Sequence, residues 1–590
     1  MVRRRFGLCL VFWVLALVRP ASSRELSDFE REVRAIALRE RGLTLEEAPA
    51  GKIIESIEVH VVEPFDGRDP VPDWVNVLHV NSRDYVVKQE LALETGQVFE
   101  RGRADDSIRN LKETYKFSLI LVTTARGSAP DRVKVVVIVK DVWSLRLQWN
   151  ASVVKDRLVL YLNPSETNLF GTHTTLGALY LLEPDRQTFG VNLYVPQVGG
   201  SNIKLLALGG PIFSRDLSET EGSFGYFQYY EPLKSRFDEW AWSTGVGWRK
   251  ELTRRYEGAD IREVEITVPD GSTLHIPETF ETERMAGEYQ LVRSFGSSNK
   301  TDLSFGMEAD LRRYRTEDLS AYGPRAREEF ERVVLPTTDT RISPFVQVTS
   351  YSTRTHHAMN VETLALQEDL ALGHHTLLRV YPASTELGSS RSLFGLAWGV
   401  GYAVPLGSGI AVATAGASIE LARHNQNNVL FDAGLRIVSP SLGPGRVHFD
   451  VVGYDRYRNY LNLAPFALGG DNRLRGYPYG FFQGDKLLAL NTEFRSVPIE
   501  LFGVHVAGVA FYDTGHAADT VQELSLKHSI GAGVRFLAPQ FDRTVLRVDY
   551  GLALSEGYRG FGLVFEFGQA LALPALLEPS VLSGVVPTVE

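Results

Sequence analysis

From Trp143 onward the chain is built of segments of about ten residues in which apolar and polar positions alternate, separated by Gly, Pro, Asp and Asn clusters. In Thr301–Arg312 one set is Leu303, Phe305, Met307, Ala309 and Leu311, and the interleaved set is Asp302, Ser304, Gly306, Glu308, Asp310 and Arg312. In Asp238–Trp248, Trp240, Trp242, Val246 and Trp248 alternate with Ala241, Ser243, Gly245 and Gly247; in Thr544–Leu554, Leu546, Val548, Tyr550, Leu552 and Leu554 alternate with Arg547, Asp549 and Ala553. Period-two alternation predicts strands with one apolar face each. A soluble β-sandwich alternates too, but its core does not take up Asp, Glu and Arg at every second position, whereas a hydrated lumen does. The reading is therefore a transmembrane β-barrel over 142–569, closed because an open sheet edge in hydrocarbon would leave unpaired N–H and C=O groups. Aromatics near strand ends (Tyr194, Trp240, Tyr550, with Tyr226, Tyr229 and Tyr230) read as interface girdles. The Asp/Arg/Glu-rich stretches near 251–279 and 315–337 read as long surface loops.

Before this region the pattern is different. A strand-like run Ile53–Val61, a Pro/Asp/Gly-rich stretch to about Asn81, a helix from Ser82 or Arg83 ending before Thr95-Gly96, a second helix Arg103–Thr114, and strands Phe117–Thr124 and Val133–Lys140 give the order β-α-α-β-β within 52–141. Residues 24–51 are charged, with Leu26, Phe29, Val33, Ile36 and Ala37 at helical spacing, and read as a linker-like helix. Met1–Ser23 has the form of an export signal: Arg3, Arg4 and Arg5, then apolar Phe6 to Val18, then Ala21-Ser22-Ser23.

Composition narrows the partners. The single cysteine, Cys9, lies within the signal, so the exported chain holds neither a disulfide nor a thiolate metal site. A net charge of −10 argues against nucleic acid. Past the N-terminus no apolar run is long enough to span a bilayer as a helix. His173, His356, His357, His374 and His375 could suggest a metal, but adjacent histidines on a strand point to opposite faces, and solvated turns are the expected home; no metal or cofactor is expected. No nucleophile–base set or paired carboxylates stand out, so the chain reads as a non-enzyme.

The segment Phe466-Ala467-Leu468-Gly469-Gly470-Asp471-Asn472-Arg473-Leu474-Arg475-Gly476-Tyr477, followed by Asn491-Thr492-Glu493-Phe494-Arg495, resembles the inward-folded loop of the BamA/TamA outer-membrane assembly and translocation family (bacterial surface antigen family), with its Arg-Gly-aromatic triplet. Phe511-Tyr512-Asp513-Thr514-Gly515, Leu546-Arg547-Val548-Asp549-Tyr550-Gly551 and Asn168-Leu169-Phe170-Gly171 resemble further stretches of that family, in its order. The resemblance implies a mainly β protein: a C-terminal sixteen-stranded antiparallel barrel preceded by one small α/β domain of the POTRA type. Five strand-like segments follow the loop (485–497, 501–513, 525–537, 543–554, 560–569), as sixteen strands require, while more than the eleven required can be marked before it. The chain departs from the family in having room for only one POTRA unit and in a tail from Ala570 to Glu590, whose prolines 574, 579 and 587 should keep it out of the wall. No Gly-x-Ser-x-Gly element suggests a fused lipase.

The resemblance places Arg475 inside the barrel, facing Glu493 and Asp513, which lie on the inward phases of the next two strands; Gly476 would permit close backbone approach and Tyr477 would pack in the lumen. The implied function is insertion or translocation of polypeptides through the outer membrane, with the POTRA unit in the periplasm. Outer-membrane lipid, an unfolded or strand-like client and periplasmic accessory proteins are the partners it implies. The alternative is a passive channel or structural surface barrel.

Overall fold

A computed structural model describes residues 28–571 and 580–582, apart from 68, 70, 155–156, 258–259, 268–271, 471–472, 479, 556–557 and 559. The export signal expected at 1–23 lies outside the described residues.

The N-terminal module comprises α1 (Asp28–Glu40), β1 (Ile53–Val62), α2 (Asp84–Gln89), α3 (Arg101–Glu113), β2 (Phe117–Arg126) and β3 (Arg132–Asp141). β3 is central, parallel to β1 and antiparallel to β2. Its run Val133-Lys134-Val135-Val136-Val137-Ile138-Val139 is nearly all apolar because both faces are covered. Val133, Val135, Val137 and Val139 pack with Val87, Leu111 and Phe117 on one side, while Val136 and Ile138 meet Val33, Ala37 and Leu38 of α1 on the other. The helix anticipated as a linker is thus a third layer of the module, and residues 44–46 continue along the β2 edge through Glu46 N to Thr124 O and Arg126 N to Thr44 O. α2 ends at Gln89, earlier than its expected stop before Thr95.

The rest is one closed antiparallel barrel. It has twenty strands rather than sixteen, taking Lys486–Ser496 and Ile499–Leu501 as one interrupted strand, since both pair with Val504–Ala518. Fifteen precede the Arg475 loop and five follow it, so the surplus segments marked ahead of the loop are genuine wall strands. The first strand, Leu145–Val154, meets the last, Phe561–Phe567. Alternation sets the faces as read: Phe305 and Met307 are exposed outward while Glu308 and Asp310 are buried inward, and Tyr550 is exposed while Arg547 and Asp549 are buried. Inward charges pair with one another: Arg341 reaches Glu308 and Glu420, Arg284 and Arg312 reach Asp310, and Arg436 reaches Asp450.

Several local expectations are corrected. Tyr226 and Tyr230 face inward instead of forming a girdle, Tyr226 against Val581 and Leu582, and Tyr230 beside a cavity near the module; Trp240 is exposed on the outside. At the end far from the module, the 255–278 and 317–338 stretches are not simple surface loops. The hairpin Glu263–Thr267/Thr273–Pro277 packs Ile266 and Ile276 on Phe330 of the helix Pro324–Val333. Of the histidines, His356 and His357 lie on the hairpin strand Thr355–Met359, and His374 and His375 on the wall strand Gly373–Ala383. His173 is in a turn but only 1% exposed.

Candidate functional site: a filled lumen

The 460–485 connection leaves the far end of the wall and folds inward. Gly469 and Gly470 have positive φ, and the Gly470 N–H donates to Tyr477 O at 2.8 Å, closing the turn that presents the triplet. Arg475 is 2% exposed. Its Nε and Nη2 donate to the two oxygens of Asp513 at 2.8 and 2.9 Å, and Nη1 donates to Glu493 Oε1 at 2.7 Å and to Asp549 Oδ2 at 3.0 Å. The guanidinium carbon also lies 3.4 Å from the centroid of the Phe511 ring. One planar fork therefore ties the loop to three strands, an arrangement that suits Arg and not Lys.

The structure brings Arg475, Glu493 and Asp513 together and adds residues not singled out for the site. Arg495 donates to Glu493 Oε2 at 2.8 Å, Arg535 to Asp549 Oδ1 at 2.5 Å, and Asn491 Nδ2 to Asp513 Oδ1 at 2.8 Å. The signal for them was the phase of their strands: positions 491, 493 and 495 share one face, as do 547 and 549, and Asp549 had already been placed on the inward face. Glu493 and Asp513 are fully buried, so the cluster is drier than a water-filled lumen would make it.

Gly476 has φ +99°, and a Cβ there would lie 2.9 Å from Gly551 C and from Leu552 N. A Cβ on Gly551 would in turn lie 2.8 Å from Arg475 C, so two glycines let the loop cross directly over a wall strand. Tyr477 is 2% exposed, donates from its hydroxyl to His528 O at 3.1 Å, and packs among Phe481, Phe482 and Tyr558.

Two further segments enter the lumen. From the module end, the 353–372 connection packs Val361 and Leu370 against Ile410 and Val438, and Leu364 against Ala507, Leu537 and Val545, so it reaches wall strands on both sides of the opening. Arg495 Nη1 donates to Val361 O at 2.9 Å, linking this floor to the Arg475 cluster. The second segment is the C-terminal tail. It was expected to lie outside the barrel wall or to be disordered; among its described residues none is a wall strand, and Leu571, Val581 and Leu582 are buried inside the lumen.

The module is docked against the same end. Asp106 of α3 is fully buried and receives Arg236 Nη2 at 2.7 Å and Arg109 Nη1 at 2.9 Å; Lys112 pairs with Asp369 of the floor hairpin. The His173 turn meets Ser82 Oγ through Nε2 at 2.8 Å, and Asn168 Nδ2 donates to Val80 O at 2.9 Å. Burial, and then the nearby Lys116 ammonium, push the His173 imidazole down to about 3, so it is neutral at neutral pH. Burial likewise pushes the Lys116 ammonium down to about 7.

No protein-family model and no curated protein matches the chain. Among solved structures it is similar to CdiB from Acinetobacter baumannii (11% identity, 88% of this chain and 74% of that one, TM-score 0.43). It is also similar to BamA from Haemophilus ducreyi lacking POTRA domains 1–3 (11% identity, 86% and 84%, TM-score 0.34). A further similarity is to the FrpB iron transporter from Neisseria meningitidis (7% identity, 76% and 86%, TM-score 0.37).

Proposed function

We propose that this protein inserts or translocates polypeptides at a bacterial outer membrane, with 52–141, extended by α1, as a single POTRA unit in the periplasm. The observation that carries this reading is the Arg475 loop. An Arg-Gly-Tyr triplet, held by three carboxylates, pins a long connection inside a barrel whose outward positions are apolar and suit lipid.

Two features supply the remaining parts. Among the described residues, β1 is bridged along its outer edge only near its start, by residues 96–99, and the rest of that edge would seat a client strand by β-augmentation. The seam between first and last strands has the register pairs Ala151–Phe565 and Ser152–Val564 among the described residues, against sixteen pairs between Thr279–Phe295 and Asn299–Thr316. Among the described residues this is the wall's shortest ladder, and we take it as the place for lateral opening. Accessory proteins would dock on the module, and the chain carries no catalytic role of its own. A passive channel would keep its lumen open; this one is occupied from both ends.

Depleting the protein and quantifying the outer-membrane proteome tests the function, with loss of specific client proteins expected. A disulfide across the seam, Ala151→Cys with Phe565→Cys, should reproduce that loss in a folded barrel and be relieved by reductant. An unchanged proteome in both experiments would overturn the reading.

A further inference from the structure

The described parts of the tail are held by a recurring device. Gln569 accepts from Arg535 Nε at 3.2 Å and donates to Glu362 O of the floor at 3.0 Å. Arg436 Nη1 donates to the main-chain carbonyl of Leu571 at 2.7 Å, and Arg284 Nη2 to the main-chain carbonyl of Val581 at 2.9 Å. Those two arginines stand on wall strands with five others between them. Each is already neutralised by the wall: Arg436 Nε bonds Asp450 at 2.6 Å, and Arg284 bonds Asp310 at 3.0 and 3.1 Å.

A guanidinium has five donors, so an arginine paired with a wall carboxylate still presents spare N–H groups to the lumen. The tail uses one of them at each site. Arg436 Nη2 is buried without a hydrogen-bond partner among the described residues, so donor capacity remains there. If the tail leaves, no charge is stranded, because both arginines keep their carboxylates. What is lost is a carbonyl acceptor, which any polypeptide main chain carries at every residue. Side chains add contacts of their own: Val581 and Leu582 pack on Ala286 and Tyr226, Leu582 fills the space that Gly245 leaves, and Ser580 Oγ donates to Glu288 at 3.4 Å. A 390 Å³ cavity bordered by Ser580, Val581, Arg284 and Arg341 runs beside the tail, giving an incoming chain space alongside it.

We propose that the lumen wall carries binding points for the main chain of an extended polypeptide, read through the spare donors of wall-paired arginines, and that Leu571 and Ser580–Leu582 of the protein's own C-terminal tail occupy them as a displaceable plug. The proposal rests on the polypeptide-handling reading for its biological meaning, but its physical content is separate.

The test uses the full chain and a variant lacking 570–590, both refolded and checked for a heat-modifiable barrel, with two fluorescein-labelled probes: a synthetic peptide of residues 568–590 and a scrambled peptide of the same composition. The truncated barrel should bind both probes with similar affinity, and the full chain neither. Arg284→Gln and Arg436→Gln should each weaken binding about tenfold, the weight of one charge-assisted hydrogen bond. Conductance in planar bilayers should rise on truncation. Binding of the native but not the scrambled peptide would overturn main-chain reading, and unchanged conductance with no binding would overturn the plug. Should truncation prevent folding, the full chain decides: Ser580→Cys with Glu288→Cys should be joined by a short bifunctional methanethiosulfonate reagent that replaces the reach of the Glu288 side chain, since Cys9 of the signal is the natural chain's only cysteine, and absence of the cross-link refutes the plug. Peptide binding combined with an unaltered proteome on depletion would reject the assembly function and leave the binding points standing.

Discussion

Replacing Arg475 with Ala removes the one cation shared by Glu493, Asp513 and Asp549. The three carboxylates do not suffer equally. Glu493 keeps Arg495 and Arg535, and Asp549 keeps Arg535 and Arg547, but among the described residues Asp513 keeps no cation, only the side-chain amide of Asn491 and the main-chain N–H of residue 475 at 3.3 Å. Breaking a fully buried pair costs about 3–5 kcal/mol, chiefly through the charge left behind, which here is Asp513. The loop retains other anchors: the Tyr477 hydroxyl, Asn491 Nδ2 on Arg473 O at 2.5 Å, and the Arg473–Asp450 pair. The lower end of the range is therefore expected, with the wall ladder intact. In amide hydrogen exchange, residues 473–484 should lose about a hundredfold in protection, the equivalent of about 3 kcal/mol, while Lys486–Ser496 and Val504–Ala518 stay protected. Adding Asp513→Asn removes the stranded charge and should restore part of the protection lost in Arg475→Ala. Arg475→Lys should fall between, because an ammonium cannot span three carboxylates as a planar fork does. Equal loop protection in wild type and Arg475→Ala, or no recovery on adding Asp513→Asn, would refute the argument that this charge cluster holds the loop.

Three other outcomes follow from the geometry. Gly476→Ala should displace the loop at a cost of about 1–3 kcal/mol, since φ +99° and a 2.9 Å approach to the Gly551 backbone both exclude a Cβ, and Gly551→Ala should raise protease cleavage of the loop in the same way. His173, neutral and buried in the folded state with its titration pushed down to about 3, binds fewer protons than an unfolded imidazole at about 6.5, so stability is full above pH 6.5 and falls on acidification. The loss should reach about 2 kcal/mol at pH 5 and be smaller in His173→Gln, read as proteolysis of the module–barrel junction against pH. Asp106→Asn should weaken module docking by about 1–3 kcal/mol by replacing the carboxylate that receives Arg236 and Arg109, seen as faster exchange in Arg101–Glu113 with the wall unaffected.

The sequence by itself determined what depends on neighbours along the chain. Period-two alternation assigned Phe305 and Met307 outward and Glu308 and Asp310 inward, because successive side chains on a strand must point to opposite faces. The order of elements in the module was legible for the same reason, and strand phase put Glu493 and Asp513 on the inward face, while aiming Arg475 at them took the motif resemblance as well. What only the tertiary structure decided is whatever joins residues far apart in the chain. The strand number is set by where Phe561–Phe567 meets Leu145–Val154, a closure that no local pattern encodes. Asp549 and Arg535 enter the Arg475 cluster because the loop crosses the lumen, and α1 becomes a layer of the module because Val136 and Ile138 offer it an apolar face. The tail, rich in proline and barred from the wall ladder, could be excluded from the wall by its sequence. That Arg284 and Arg436 hold it inside the barrel follows from spare guanidinium donors that only the folded lumen brings within reach.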